Sequence, residues 1–250
     1  VNNSENVTFF VDLTYSDINF TGPTPDNGSS QVADAIYVNY SITESNDHYS
    51  FIDFDSSLVG WWRMDNVNGS GDPLDSSSYS NDGSLVGNSE VNITSGKFGE
   101  GLWLDGNGDY VNVSDDSSFN ISGNLTISTW INLNEESDWR TIVSKRSAAN
   151  SAYTFRIDDN SNNLSFLPTS GGVLDGSSIS LGVWTHVAVT YSDGNVTLYK
   201  NGLIDISAIG KTINNNDVPV RIGMIYGNLH AFNGSIDEVR IWNRSLGSDE

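Results

Sequence analysis

Apolar residues in this chain come in short runs that alternate with polar ones and end at Gly, Asn, Asp or Ser. That period-two pattern is the mark of half-buried strands. Residues 7–13, 35–42, 125–133, 184–191, 196–200 and 236–242 all read this way. In Thr185-His186-Val187-Ala188-Val189-Thr190-Tyr191, alternation puts Val187, Val189 and Tyr191 on one face and His186, Ala188 and Thr190 on the other. Asp193-Gly194 then forms a tight turn into the strand holding Val196 and Leu198, which closes at Asn201-Gly202. The result is an antiparallel meander. No amphipathic helix of useful length is predicted; residues 245–250 have the look of a helix start, and the sequence stops there. The expected fold class is all-β.

Two regions differ in texture. Residues 1–57 carry a Pro-containing turn, Thr21-Gly22-Pro23-Thr24-Pro25-Asp26-Asn27-Gly28, between two predicted strands. From Leu58 onward the chain is rich in aromatic residues and continuous. A boundary is expected near residue 57, with a small β segment over 1–57 and one sandwich over 58–250. A single sandwich of that size is common.

Charge narrows the partners. The formal net charge is −21, from 11 Lys and Arg against 32 Asp and Glu. Nucleic acid is excluded as a partner, because phosphate binding rests on Lys and Arg that displace counterions. Insertion into a membrane is excluded too, since no stretch reaches the roughly 18 apolar residues a spanning helix needs. No charged, apolar leader precedes Val1, so any signal or anchor is expected to have been removed or to lie outside these residues. There are no cysteines, hence no disulfides and no Cys-based metal site or nucleophile.

The glycosylation pattern N-x-S/T occurs at Asn2, Asn6, Asn19, Asn27, Asn39, Asn68, Asn92, Asn112, Asn120, Asn124, Asn163, Asn195, Asn233 and Asn243. The chain has 30 Asn, and Ser plus Thr make up about one residue in five, so chance would give about six such sites. The excess points to an extracellular or cell-surface glycoprotein. Turn sites such as Asn27, Asn68 and Asn233 are expected to be the better acceptors.

Five segments, in order over about 190 residues, carry a family resemblance. They are Leu58-Val59-Gly60-Trp61-Trp62-Arg63-Met64-Asp65; Gly96-Lys97-Phe98-Gly99-Glu100-Gly101-Leu102-Trp103-Leu104-Asp105-Gly106 with Asp109-Tyr110-Val111; Leu125 to Ile131; Trp184 to Gly202; and Ile236-Asp237-Glu238-Val239-Arg240-Ile241-Trp242. Together they resemble laminin-G-like modules of the concanavalin-A-like superfamily. The resemblance implies two antiparallel sheets packed as a jelly-roll sandwich. Residues 1–57 resemble part of an immunoglobulin-like repeat: the last strand of one and the first strands of the next. They are too few for a complete sandwich of that type.

The resemblance also implies a Ca²⁺ near the sandwich edge. It points to Asp105 and Asp109, in one Gly-rich loop, and to Asp237 in the closing strand. Asp75 and Asn81 are further oxygen-donor candidates, since Ca²⁺ takes six to eight oxygens at loose geometry. Asp in Gly- and Asn-rich company also caps turns by bonding its own backbone. Asp158 and Asp159 are assigned to such a turn.

Glucanases of the same superfold use Glu-x-Asp-x-x-Glu, which places a nucleophile and an acid on one face of a strand. The eight Glu residues here never form that pattern. No Gly-x-Ser-x-Gly elbow is present either, so no enzymatic activity is expected. His186 is assigned a structural role, and His48 and His230 lack metal-ligand spacing. Trp61, Trp139 and Tyr153 are candidate platforms for stacking a sugar. Trp61 and Trp62 must point to opposite faces of one strand, so at most one is core.

Two functions follow. One is a glycosylated, calcium-stabilised surface module that assembles with copies of itself by strand addition, the strand at 7–13 completing a neighbour. The other is a lectin-like domain that captures a glycan.

Overall fold

A computed structural model describes residues 17–21, 39–43, 55–87, 92–135, 139–159, 161–227 and 229–247, with backbone alone at 17–21, 39–43 and 92. The chain divides into two compact units, Val1–Asp55 and Ser56–Glu250. In the first, β1 (Asp17–Thr21) pairs antiparallel with β2 (Asn39–Thr43), from Asp17 opposite Thr43 to Thr21 opposite Asn39. The strand expected at 7–13 lies outside the described residues, as do residues 35–38.

The second unit is a sandwich of two antiparallel sheets. Its strands are β3 (Leu58–Val67), β4 (Pro73–Asp75), β5 (Gly83–Val86), β6 (Asn92–Ser95), β7 (Glu100–Asp105), β8 (Tyr110–Val113), β9 (Leu125–Leu133) and β10 (Arg140–Arg146). They continue as β11 (Ser151–Ile157), β12 (Asn163–Pro168), β13 (Leu174–Ser178), β14 (Thr185–Ser192), β15 (Asn195–Lys200), β16 (Leu203–Ala208), β17 (Val220–Ile222) and β18 (Asn233–Trp242). Among the described residues, the one helical element is a 3-10 turn at Ser117–Phe119. One sheet has seven strands in the order β13-β12-β11-β10-β17-β8-β5. The other has nine; β16-β15-β14-β9-β18-β3-β4 run in line, while β7 pairs with β18 and β6 with β7. This is the all-β class that the pattern predicts and the jelly-roll sandwich that the resemblance implies.

Local chemistry explains the meander. Asp193 and Gly194 have φ of 47° and 88°, and Asn201 and Gly202 of 51° and 77°. Such left-handed pairs match the twist of two-residue hairpins, where Asp-Gly and Asn-Gly carry the least steric cost. The alternation between them then decides the faces. Val187 and Val189 are buried in the core, and His186 lies opposite Trp130 on the other side.

Between the sheets, Phe155 on β11 sits opposite Phe166 on β12, both fully buried, with Trp62, Met64, Ile127, Ile222 and Ile241 in the same core. Burying each such side chain contributes about 1.5–3 kcal/mol. Trp62 also satisfies its indole N–H, which donates to the Asn81 carbonyl at 2.9 Å.

The glycines of the Gly96-Lys97-Phe98-Gly99 turn have a specific cause. A Cβ on Gly96 would fall 2.7 Å from Asp237 Oδ2, and one on Gly99 would fall 2.2 Å from Asp65 Oδ1. Asp237 Oδ2 accepts from the backbone N–H groups of Lys97 and Phe98 at 2.8 and 2.9 Å, and Asp65 Oδ1 accepts from Glu100 N–H at 2.6 Å. Two carboxylates clamp this turn, and only glycine admits them so closely.

Candidate functional site

The face of the nine-stranded sheet that points away from the core satisfies its own charges. Register puts Trp61 on β3 opposite Arg240 on β18. Trp61 Nε1 donates to Glu238 Oε2 at 2.7 Å, and Arg240 Nη2 donates to the same oxygen. Arg63 Nε lies 3.6 Å from Glu238 Oε1, and Arg63 Nη2 lies 3.1 Å from Asp65 Oδ2. The guanidinium carbons of Arg240 and Arg63 stand 4.7 and 5.5 Å from the Trp61 ring centre. Glu238 reaches this position because its φ is 54° at a bulge where the β18–β9 register shifts. A bulge re-aims a side chain in just this way.

Along the same sheet, Asp237 pairs opposite Trp130, and Trp130 opposite His186. The Trp130 ring meets Phe98 at 5.7 Å and His186 at 5.4 Å, with Lys97 Nζ 4.7 Å away. Burial, and then the charge of Arg240, push the His186 imidazole down to about 4, so it is neutral at pH 7.

The outer face of the seven-stranded sheet differs. Register aligns Leu167, Thr154, Ser144, Arg221, Asn112 and Ser84 in one row across six strands. A second row holds Asp175, Ser165, Arg156 and Thr141. The hydroxyls of Thr141, Thr154 and Ser165 and the Nε of Arg156 are buried without a hydrogen-bond partner. Arg156 is only 5 % exposed, and its guanidinium carbon stands 3.7 Å over the Trp139 ring. Trp139 in turn lies 5.0 Å from His230. Arg221 is 6.0 Å from the Tyr110 ring, and its Nη1 donates to the Arg146 carbonyl at 3.2 Å. Residues 223–227, which follow β17, run beside this floor, where Met224 O accepts from Ser144 Oγ at 2.9 Å. Burial lowers the Arg156 pKa from its ordinary value, opposed by Asp175 and reinforced by Arg146. The guanidinium stays charged.

The three aromatic platforms expected from sequence are corrected by burial. Tyr153 is a fully buried core residue. Trp61 does oppose Trp62, but it is 6 % exposed and covered by two arginines. Trp139 is half-buried with one face taken by Arg156. Arg146, Arg156 and Arg221 were not singled out from sequence. The available signal was a basic residue at a polar, alternating strand position in a strongly acidic chain.

The structure does not bring the five metal candidates together. Asp75 and Asn81 do meet: Asp75 Oδ2 accepts from Asn81 N at 2.8 Å and from Ser77 Oγ at 2.6 Å, and its Oδ1 accepts from Trp61 N and Ser77 N. Asp105 Oδ1 caps its own loop through Asn107 N at 2.6 Å, and Asp109 is fully buried. Asp237 is fully buried, with Oδ1 lacking a hydrogen-bond partner, and burial pushes its pKa up to about 7. Among the described residues, no group of three or more His, Asp or Glu is placed to hold a metal. Asp158 forms the turn expected of it, Oδ1 accepting from Ser161 N and Asn163 N.

Of the sequons, Asn68, Asn120, Asn124, Asn195 and Asn243 are exposed, and Asn112 and Asn163 are half-buried. Asn120, Asn124 and Asn243 line one groove of about 530 Å³. Asn233 corrects the expectation of a turn. It opens β18, is 9 % exposed, and its amide nitrogen donates to Glu135 Oε1 at 2.7 Å. Asn2, Asn6 and Asn27 lie outside the described residues, and the side chains of Asn19, Asn39 and Asn92 are not described.

This geometry defines a two-sheet jelly roll of the lectin and glucanase type. Residues 105–250 match the laminin-G-like family described as the concanavalin A-like lectin/glucanases superfamily, and the chain belongs to it. Comparison with curated protein sequences finds no match. Among solved structures, domain 4 of AbnA, an extracellular arabinanase of Geobacillus stearothermophilus, in complex with arabinotriose, aligns at TM-score 0.63 and 21% identity. That alignment covers 77% of this chain and 95% of that domain. The binding domain of Paraclostridial Mosquitocidal Protein 1 aligns at 0.60 and 22%, covering 77% and 50%. The ligand-binding domain of botulinum neurotoxin serotype D, in complex with N-acetylneuraminic acid, aligns at 0.60 and 16%, covering 78% and 49%. The chain spans about half the length of the two toxin domains. At these identities the likeness is one of fold.

Proposed function

We propose that the sandwich is a non-catalytic, lectin-like module that binds carbohydrate on the outer face of its seven-stranded sheet. The observation that carries this reading is the set of buried, unpartnered polar atoms on Thr141, Thr154, Arg156 and Ser165, spread over two adjacent register rows of this face. Buried polar groups are nearly always hydrogen-bonded, so a set without partners in the chain points to ordered water or to a ligand as the partner. A saccharide supplies hydroxyls for such groups. The arabinotriose and N-acetylneuraminic acid complexes of the fold neighbours support the same class of ligand. Glycoside hydrolysis needs two flanking carboxylates, and the two register rows contain one acid, Asp175.

A glycan array followed by titration calorimetry tests the reading. Thr154→Val is near neutral for stability, because it replaces an unpartnered hydroxyl with an isosteric methyl. It should nonetheless weaken the bound glycan severalfold. An array with no positive glycan, or affinity unchanged in Thr154→Val and Ser165→Ala, removes this face as the site.

A second reading, association of copies at the cell surface, is favoured by β16. It ends the nine-stranded sheet, and Leu203, Ile204 and the following Ile209 are 74%, 65% and 81% exposed. An apolar edge strand is a template for another chain, and residues 7–13 are the proposed donor. Sedimentation of the full chain against a deletion of residues 1–13 checks it; equal sizes would exclude strand donation. Within either reading, an extracellular location, N-glycans on the exposed sequons, and calcium bound at Asp237 remain proposals. The unpartnered, fully buried Oδ1 of Asp237 is an oxygen a cation could take.

A further inference from the structure

The chain has 11 Lys and Arg among 32 acids, and the structure accounts for most of them. Arg63, Arg140, Lys145 and Arg240 are in ion pairs. Lys200 and Lys211 donate to hydroxyl and carbonyl oxygens, Arg244 donates to Ser57 Oγ, and Lys97 lies over the Trp130 ring. Three remain: Arg146, Arg156 and Arg221. None forms an ion pair among the described residues, and all three meet on the outer face of the seven-stranded sheet. Arg221 touches the Arg146 carbonyl, and Arg146 acts repulsively on Arg156.

Three guanidinium groups gathered without an ion pair among the described residues, in a chain of net charge −21, are unusual. Like charges at this range repel, the more so where one is desolvated. The acids that face Arg156 are Asp175 in its own row and Asp158 and Asp159 at the end of β11, and they act through space without contact. The Trp139 ring offsets part of the burial. What the cluster lacks, among the described residues, is an anion in contact with it. A guanidinium binds a carboxylate or sulfate through two parallel N–H groups, which gives both strength and orientation.

We infer that the saccharide taken by this face is acidic, a uronate or sulfated sugar whose anionic group seats among Arg146, Arg156 and Arg221. This rests on the lectin-like reading and specifies its ligand class. The overall negative charge repels a polyanion at long range, so recognition depends on this local cluster. Affinity should therefore respond to each arginine on its own.

The test uses the full chain, with chelator present so that calcium bridging is absent. Titration calorimetry compares oligogalacturonate, a sulfated galactan oligosaccharide and a neutral galacto-oligosaccharide of equal length. At least one acidic probe is expected to bind ten-fold or more tighter than the neutral one; carboxylate and sulfate probes then tell which anion is preferred. Arg146→Gln and Arg221→Gln, at half-buried positions, should each weaken that probe about ten-fold. Arg221→Lys should recover part of the loss, and Trp130→Ala, on the other sheet, should change nothing. Melting curves confirm that the variants fold. If the neutral probe binds as tightly, or both Gln variants keep wild-type affinity, the acidic class is wrong while the lectin reading stands. If none of the probes and no glycan on an array binds, the lectin reading falls with it.

Discussion

The two outer faces of the sandwich use charge in opposite ways. On the nine-stranded sheet, Arg63, Arg240, Asp65 and Glu238 close on one another around Trp61. On the seven-stranded sheet, Arg146, Arg156 and Arg221 gather beside Trp139 and Tyr110 with no ion pair among the described residues. Both faces pair arginine with an aromatic ring. They differ in whether a buried carboxylate is supplied from within. A network complete in itself stabilises the fold, whereas one that lacks its counter-ion is prepared for a partner.

The largest expected effect separates the faces by stability. Glu238→Gln leaves the half-buried Arg240 without the buried carboxylate it pairs with, and should cost up to about 3 kcal/mol in urea denaturation. Arg146→Gln and Arg221→Gln break no internal pair and should each cost under about 1 kcal/mol. Equal losses on the two faces would erase the distinction.

Next in size is a pH effect confined to the nine-stranded face. Asp237 has a folded-state pKa of about 7 against an ordinary 3.8. The folded chain therefore binds the extra proton, and stability falls as pH rises from about 4 through 7. His186, at about 4 against 6.5, has the opposite sign: its penalty appears as pH falls from 6.5 toward 4. The two slopes oppose each other in the wild type. Asp237→Asn should unmask the His186 slope, and should gain most over the wild type at pH 8 in chelator, read by scanning calorimetry. Calcium should narrow that gap by stabilising only the wild type. Parallel pH profiles for the two proteins would show that Asp237 does not titrate in this range.

The smallest effect concerns glycans. In a glycosylating host, peptide mass spectrometry should find Asn233 bare, because it is buried at the start of β18 with its amide tied to Glu135. Exposed Asn195 and Asn243 should be occupied. Full occupancy at Asn233 would mean that this corner of the sheet opens.

Much of the fold was legible because it is local. Alternation in residues 185–191 fixed which side chains face the core, and Asp193-Gly194 and Asn201-Gly202 fixed the turns. The clamped Gly96-Lys97-Phe98-Gly99 turn was legible as a motif, though its cause, two carboxylates from β3 and β18, was not. The candidate face was hidden for the same reason. Arg156 and Arg221 look like ordinary polar positions in their own strands and acquire meaning only when register sets them side by side. Tyr153 misled because it lies near a loop in the sequence, yet alternation with Thr154 already put it on the side of Phe155 and Ile157. Asn233 misled because Gly234 beside it reads as a turn, whereas here glycine admits the close approach of β9: a Cβ would lie 2.1 Å from Asn132 O.

The row from Leu167 to Ser84 has a kinetic consequence. Its neighbours in space, such as Ser144 beside Arg221 and Arg221 beside Asn112, are far apart along the chain. No fragment carries the surface, and a slip of one residue between β10 and β17 would turn Arg221 into the core and Ile222 outward. Such long-range pairings close slowly, after the local hairpins have formed. Affinity should therefore arrive all at once and last, so that a chain able to bind is a chain that has finished folding.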